Sequence, residues 1–389
     1  MQSTSETAAF PSDTVASTLQ PREVPELSPD LRVETGQASP EEWNSILQQF
    51  ADANLCQTWP YGSIRWGAHK IGHAVLKRGD EIVSAAQVIF IKVPVLSRGM
   101  AYVKWGPIWQ TRARPAQPSD LQQMLVALHR LYVDQAHLLL RVTPWEFENS
   151  APQPLFPAAG YALNMEHEQL RTAVLDLSHS MDQLRASLSR HWRYNLKQAE
   201  SNALEICAGS TDDLIADFMT LYKDMKNRKG NTDLIPELDY LPKVQRELPA
   251  SAKARILVCK HEGAPVAALI VSALGAKAFA VAAATGTAGL ELRGSYLLQW
   301  RMIEWLKSQN VRWYDLARIN EKTHPGTTQF KLGLTGKLGS TVAYLGDFEA
   351  YESQMSHLLV GAADRLRDVL GKARSSISDR MPRWREATS

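Results

Sequence analysis

The sequence has 389 residues, is 44% hydrophobic and 22% charged, and carries a formal net charge of +2. This is room for two domains of ordinary size with real cores, in the composition of a globular protein. A charge so near balance excludes binding to nucleic acid or membrane through bulk charge, so any such partner has to be met by a local patch. Cys56, Cys207 and Cys259 are far apart and form no C-x-x-C pair, which argues against a disulfide framework or a cysteine-based zinc site and predicts a reduced, intracellular protein. The N-terminus shows neither a basic n-region nor an apolar h-region, so no signal peptide is expected. No apolar run approaches the ~18 residues that span a bilayer, and the expected location is the cytoplasm.

Residues 1–29 are rich in Ser, Thr, Ala, Pro and Glu. Such a segment cannot offset its ordering entropy and is expected to be a disordered tail. LRVET (31–35) alternates as a strand, and in SPEEW Ser39 suits an N-cap, Pro40 the first helical position and Glu42 a capping box, predicting a helix to about Phe50. VLKRGDEIVSAAQV (75–88) reads as two strands around a tight turn, and LHRLYVDQAHLLLRV (128–142) as an amphipathic helix running into a buried strand. RTAVLDLSHSMDQLRASLSRHWRYNLKQAE (171–200) reads as a strand, then a helix boxed by Ser180 and Gln183.

The opening order then repeats. LEICA (204–208) is a strand, and Thr211 or Ser210 can cap the helix DDLIADFMTLYKDM. VCKHEGAPVAALIV (258–271) shares Val, Lys and Val-x-Ala with residues 75–88 at matching spacing, and MIEWLKSQNVRWYDLA (302–317) is again a helix entering a strand. Strand, helix, antiparallel strands, helix, strand thus occurs twice, about 175–185 residues apart. Two copies of one α/β domain are inferred, with limits at 30–170 and 171–350, followed at 351–389 by a helix (about 354–373) and a polar tail.

Several segments carry a family likeness. GYALNMEHEQLRTAVLDL, HWRYNLKQAE, GSYLLQWRMIEWLKSQNVRWYDLARI and QFKLGLTGKLGSTVAYLGDFE resemble, in order and spacing, motifs of the Fem family. These are peptidoglycan bridge-forming aminoacyltransferases built from two acetyltransferase-like (GNAT-like) domains. The likeness covers about residues 45–350 and is weaker toward the N-terminus. There CQTWPYGSIR aligns through Gln57 and Tyr61-Gly62, and VKWGPI is similar to an Arg-Gly-Pro turn with Trp105 in the Arg position. The fold it implies is α/β (α+β), two tandem GNAT-like domains with mixed sheets flanked by helices.

The resemblance implies transfer of an aminoacyl group from aminoacyl-tRNA to an amine of a UDP- or lipid-linked muropeptide precursor, without metal or resident cofactor. In such a transfer the amine attacks an ester carbonyl, and a fixed cation beside the developing oxyanion lowers the barrier. Lys331, set between Phe330 and Leu332 and followed by two glycines, is the expected cation, with Phe330 offering a stacking face to the terminal adenine. The plain alternative is a lysine snorkelling from a strand edge. Arg190, Arg193 and Lys197 recur on one helix face. The resemblance assigns Arg193 foremost to the precursor's pyrophosphate, assisted by Arg65, whereas an ordinary solvated basic face is the alternative. Trp192 and Tyr194 are expected to pack between the domains.

No acid follows the Gly-Pro turn in GPIWQTRAR, which offers only Gln110 before Asp120. Asp315, at the end of WYDLARI, is the nearest candidate base, and an anchor accepting backbone N–H groups is its other reading. His69 and His73 in HKIGH could share a helix face for a metal, but no third ligand is evident. Gly294 before a helix leaves room for an acyl-coenzyme A donor (acetyl-CoA) and a polysaccharide or small-molecule acceptor. The departures at Trp105 and Gln110 leave room for a non-catalytic envelope-assembly protein. Arg380, Arg383, Trp384 and Arg385 form a basic tail that could touch the inner face of an anionic membrane. The oligomeric state is left open.

Overall fold

The computed structural model describes residues 24–92, 99–148, 150–166, 168–229 and 238–352. Their strands are β1 (Leu31–Gly36), β2 (Ile71–Arg78), β3 (Glu81–Lys92), β4 (Gly99–Lys104), β5 (Leu139–Thr143), β6 (Ala162–Leu163), β7 (Arg171–Asp176), β8 (Glu205–Gly209), β9 (Arg255–His261), β10 (Ala264–Ser272), β11 (Lys277–Thr285), β12 (Trp313–Ile319), β13 (Gly339–Ala343) and β14 (Phe348–Ala350). They form two mixed sheets, in the orders β1-β2-β3-β4-β5-β14-β6 and β13-β7-β12-β11-β10-β9-β8.

The duplication inferred from sequence is visible in these orders. The runs β1 to β5 and β8 to β12 each comprise antiparallel neighbours that end in one parallel pair, β4/β5 in the first sheet and β11/β12 in the second. Local chemistry explains the elements. Ser39 and Ser180 both make complete capping boxes, with Glu42 and Gln183. The β9–β10 turn takes Glu262 and Gly263 through positive φ, as a two-residue hairpin that follows the strand twist requires.

The first core lies between sheet one and the helix Pro118–His129, with Leu76, Val88, Met124, Leu125 and Phe156 among its buried members. The second sheet has a core on each face. One holds Trp192, Leu196, Trp300 and Ile303 from the helices Arg190–Ser201 and Gly294–Ser308. The other holds Phe218 and Leu221 from Asp212–Lys229.

The two bodies share backbone as well as side chains. Ala276 N donates to Ala51 O at 2.6 Å, and Gly275 lies so close that a Cβ there would stand 2.1 Å from the same oxygen. Lys277 donates to Trp145 O at 2.6 Å, and Arg112 to Leu274 O at 2.8 Å. After β13 the chain returns: β14 pairs with β5 and β6 of the first sheet, through Phe348–Val142 and Phe348–Leu163.

Several expectations need correcting. The tail does not run to residue 29 in its expected state, because Val24 and Leu27 pack on the first core and Ser28 N bonds Gln123 Oε1 at 2.8 Å; residues 1–23 lie outside the described residues. The first helix ends at Leu47, short of Phe50. The helix expected before 200 is two, Met181–Ser187 and Arg190–Ser201, because Leu188 is extended and Ser189 starts a fresh cap on Trp192 N. His69 lies in a single 3-10 turn and His73 in β2, so they share no helix face, and no cluster fit for a metal occurs among the described residues. The segment expected to end the second body includes β14, which belongs to the first sheet. The helix expected at 354–373 and the basic residues Arg380 to Arg385 lie outside the described residues.

Candidate active site

The two parallel pairs differ. β4 and β5 stay in register over five residues, from Met100–Leu139 to Lys104–Thr143. β11 and β12 pair only through Lys277–Trp313, Ala278–Tyr314 and Phe279–Asp315. Beyond that point β11 follows β10 to Thr285 while β12 follows β7 to Ile319, so the two strands part. The opening exposes backbone that no neighbouring strand satisfies, the kind of place a ligand can occupy.

A bulge shapes one lip of this opening. The register of β12 against β7 shifts between Asp315 and Arg318, and Ala317 takes a left-handed conformation with φ of 63°. The helix Pro325–Thr335 then packs back on this sheet. Its Lys331 is half-buried, and Nζ donates to Ala317 O at 3.2 Å and to Arg318 O at 2.9 Å. Burial draws the lysine down to about 8, and the Asp315 charge opposes that fall. The expected strand-edge alternative is thereby corrected: Lys331 is helical, and its ammonium is held by two carbonyls.

The glycines around it answer to packing. A Cβ on Gly333 would meet Trp192 Cδ1 at 2.9 Å, and Gly336, with φ of 54°, would bring one to 2.0 Å from Ser187 O. Both let the Lys331 helix lie against the start of the second body. Phe330 is half-buried there too, 4.9 Å from the Tyr296 ring and 5.5 Å from Trp192, so part of its surface is already covered.

Asp315 is fully buried. Its Oδ1 accepts from Thr172 Oγ1 at 2.5 Å and Ala317 N at 2.9 Å, and its Oδ2 from Tyr344 OH at 2.6 Å and Trp145 Nε1 at 3.4 Å. Four donors leave no lone pair aimed at an incoming amine. The geometry therefore weighs against the base expected from sequence and suits the other reading. Asp315 ties β12, β7, the Tyr344 segment and Trp145 of the first body together, and it steadies the Lys331 charge.

The structure brings Lys331, Phe330 and Asp315 to one place. It joins the helix of Arg190, Arg193 and Lys197 to them through Trp192, whose Nε1 donates to Phe330 O at 3.0 Å. All three cations are exposed. Arg193 also uses Nη1 to hold Ala186 O at 2.8 Å and Leu188 O at 2.5 Å, closing the end of the preceding helix. Trp192 packs in the second core and Tyr194 is 63% exposed, so neither is an interdomain filler. Arg65 is exposed at the seam, its guanidinium 4.2 Å from the centre of the Tyr240 ring of the second body.

Trp105 and Gln110, read from sequence as departures at the Gly-Pro turn, meet partners at the seam that gave no sequence signal. Trp105 and Trp145 stack at 5.2 Å, and Phe279 meets Trp105 edge-on at 4.6 Å. Lys277 Nζ lies 4.6 Å from the rings of both Trp145 and Phe147. Beside them Trp105, Trp109 and Trp145 line a shallow recess together with Asp52 and Glu146. Burial lifts Asp52 to about 7 and raises Glu146 as well, and Gln110 bonds both, its N to Asp52 Oδ1 and its Nε2 to Glu146 Oε1. These partners come from separate loops, so spacing could not join them.

The comparisons with known proteins agree with this architecture. Residues 183–332 match the family model described as an acetyltransferase (GNAT) domain, a stretch that ends one residue past Lys331. No curated protein matches the chain by sequence. Among solved structures, FemX superposes with a TM-score of 0.70 at 13% identity, covering 84% of this chain and 99% of its own. A conserved protein of unknown function from Bacteroides thetaiotaomicron gives 0.54 at 10% identity, over 83% of this chain and 100% of its own. The C-terminal domain of a protein named as a lysylphosphatidylglycerol synthetase from Agrobacterium fabrum gives 0.51 at 11%, over 83% and 94%. The expected fold holds: the chain folds as two tandem GNAT-like bodies, each a mixed sheet flanked by helices, and that fold is similar to the one FemX adopts.

Proposed function

We propose that the protein is an aminoacyltransferase that moves an amino acid from aminoacyl-tRNA to an amine of a UDP- or lipid-linked peptidoglycan precursor. The observation that carries this reading is the Lys331 ammonium, half-buried beside the splayed β11/β12 pair and held in place by two carbonyl oxygens. The GNAT-domain match over 183–332 and the fold shared with FemX support the acyl-transfer class, and the Fem-like motifs support the substrates.

The chemistry follows from the placement. The amine nitrogen attacks the ester carbonyl carbon, a C–N bond forms and the carbonyl electron pair moves to oxygen. An ammonium already fixed in a poorly hydrated place stabilises that oxygen without reorganising. The pair then returns, the C–O bond to the ribose breaks, and the nucleic acid leaves as an alcohol. Phe330 offers the ring nearest to Lys331 in sequence for the terminal base, and the exposed Arg190, Arg193 and Lys197 offer charge for phosphate. Arg65 assists from the first body, and peripheral contact with the membrane would bring the enzyme to a lipid-linked precursor. The test is incubation of purified protein with charged tRNA and precursor, with the adduct read by mass spectrometry; no mass gain on the precursor refutes the reading.

One observation favours a second reading, an acyl-coenzyme A-dependent N-acyltransferase. The helix Gly294–Ser308 follows β11 and the short helix Thr287–Glu291 and starts with no side-chain cap, so its N-terminus can face an anion such as a pyrophosphate. Bound there, coenzyme A would supply a thioester in place of the ribose ester. Strong thermal stabilisation by acetyl-CoA selects this reading over the first. A non-catalytic envelope-assembly role predicts instead that Lys331→Ala leaves cellular function intact.

A further inference from the structure

We infer that His324 is the group that takes the proton from the attacking amine and returns it to the departing oxygen. This rests on the acyl-transfer reading above and supplies the acid–base partner that Asp315, with its oxygens occupied, cannot provide.

His324 ends the loop that leaves β12 and immediately precedes the helix carrying Lys331. Its carbonyl accepts the first helical bond, from Thr328 N at 3.0 Å. His324 is the N-cap, with φ of -138° and ψ of 59°, and the Lys331 charge is among those that act on its ring. Lysine side chains on a helix lean toward its N-terminus, and the Lys331 ammonium reaches back to the carbonyls of Ala317 and Arg318 at the strand that leads into this loop. Both groups therefore border the end of β12, where the strands part.

The loop is held tightly enough to aim a ring. His324 N donates to Asn320 O at 2.9 Å. Asn320 N donates to Oγ1 of the buried Thr328 at 3.1 Å, and Asn320 Oδ1 accepts from Lys322 N and Thr323 N, both at 3.0 Å. The imidazole is half-buried, with Nδ1 2.8 Å from Thr323 Oγ1. In the tautomer where Nδ1–H donates to that hydroxyl, Nε2 carries the free lone pair, and it has no protein partner among the described residues.

The charges around the ring suit this task. Burial comes first, and then Lys229 at the end of the helix Asp212–Lys229, Arg318 on β12 and Lys331 on its own helix; all lower the proton affinity of the imidazole. It is therefore neutral at neutral pH, as a base must be. Once protonated it is pressed to give the proton up, as an acid must be. In the step, the amine nitrogen bonds to the ester carbon and its extra proton passes to Nε2. When the C–O bond breaks, that proton goes to the ribose oxygen, leaving an amide, a free hydroxyl and the starting imidazole. The same transfers serve a thioester donor, with sulfur as the leaving atom.

The test uses full-length protein with His324→Ala and His324→Gln, both checked for folding by circular dichroism. Single-turnover transfer from charged tRNA to precursor should fall about 10²- to 10³-fold with KM unchanged. The acidic limb of the pH–rate profile should vanish, and added imidazole should restore rate to the Ala variant alone. A rate within threefold of wild type with the limb intact overturns the inference. If wild type forms no adduct with tRNA and precursor, the substrate reading fails separately, and the same variants are compared with acetyl-CoA and an amine. Independently of any substrate, the His324 C2–H resonance should titrate below the 6.5 of a free histidine, and the midpoint should rise in Lys331→Met. A midpoint at or above the free value overturns the inference.

Discussion

Trp192 donates its indole N–H to the carbonyl oxygen of Phe330 at 3.0 Å, so the first long helix of the second body is bonded to the residue beside Lys331. The ring is 1% exposed and also packs 4.8 Å from Tyr296. Position of the helix that carries Lys331 and stability of the core are thus the same contact. Trp192→Phe keeps an aromatic but loses the donor and leaves a gap, which should cost about 1–3 kcal/mol in urea unfolding. Transfer should fall mainly in kcat, because a small displacement of a fixed charge weakens its hold on the transition state more than on the substrate.

Lys331 should show its charge in both catalysis and stability. On the proposed reading, Lys331→Met removes the cation expected beside the oxyanion, with an expected loss of about 10²- to 10³-fold in rate. In the wild type, activity should decline as pH rises through about 8, where the buried ammonium loses its proton. Asp315 is the group that holds this proton on, so Asp315→Asn should move the decline to lower pH. The stability sign follows from the same shift. The folded protein releases the proton near 8 while an unfolded lysine keeps it to 10.5, so unfolding takes up a proton in that window. Wild type should therefore gain stability relative to Lys331→Met as pH rises from 8 to 10.5, as read by thermal unfolding.

The repeated order of strands and helices was legible because it rests on local rules: caps at Ser39 and Ser180, alternation in LRVET, and tight turns between strand runs. Lys331 was legible because one charge stood out in a small, apolar segment. What the sequence hid is long-range pairing. Asp315 reads as a base until Thr172, Tyr344 and Trp145, from three separate segments, are seen on its oxygens. Tyr194 reads like Trp192, two residues before it, until the helix is packed and the two rings face opposite ways, one buried and one 63% exposed. The return of β14 to the first sheet could not be read from three residues with no turn signal of their own.

Gly275 tests how far the seam depends on backbone contact. An alanine there would put Cβ 2.1 Å from Ala51 O and 3.0 Å from Ala53 O. Neither oxygen is the end of a flexible side chain, so the strand entering β11 must move away from the first body. Relief would break the 2.6 Å bond from Ala276 N to Ala51 O and loosen Lys277 from Trp145 O. Gly275→Ala should lower stability by about 1–3 kcal/mol. It should also raise hydrogen exchange at Ala276, because that amide loses its acceptor.

His73 gives the first body an acid limit. It is 3% exposed in β2, and its ring lies 4.1 Å from that of Trp43. Its Nδ1 accepts from Ala38 N at 3.1 Å, holding the approach to the helix Pro40–Leu47 against the sheet. Burial pulls its proton affinity down to about 4, against 6.5 for an ordinary histidine, and the neighbouring Gln87 side chain offsets only part of that. Above 6.5 the ring is neutral whether the chain is folded or not, and its packing is fully available. As pH falls from 6.5 toward 4, only the unfolded chain takes the proton, so stability drops, by about 3 kcal/mol at the lower end. His73→Asn retains an acceptor for Ala38 N and removes the titration. It should be less stable than wild type at pH 8, where the stacking on Trp43 is lost. The difference between the two proteins in chemical unfolding should then shrink steadily between pH 6.5 and pH 4, because protonation penalises the wild type alone. A difference that stays constant across that window would show that the buried ring is not the source of the acid sensitivity.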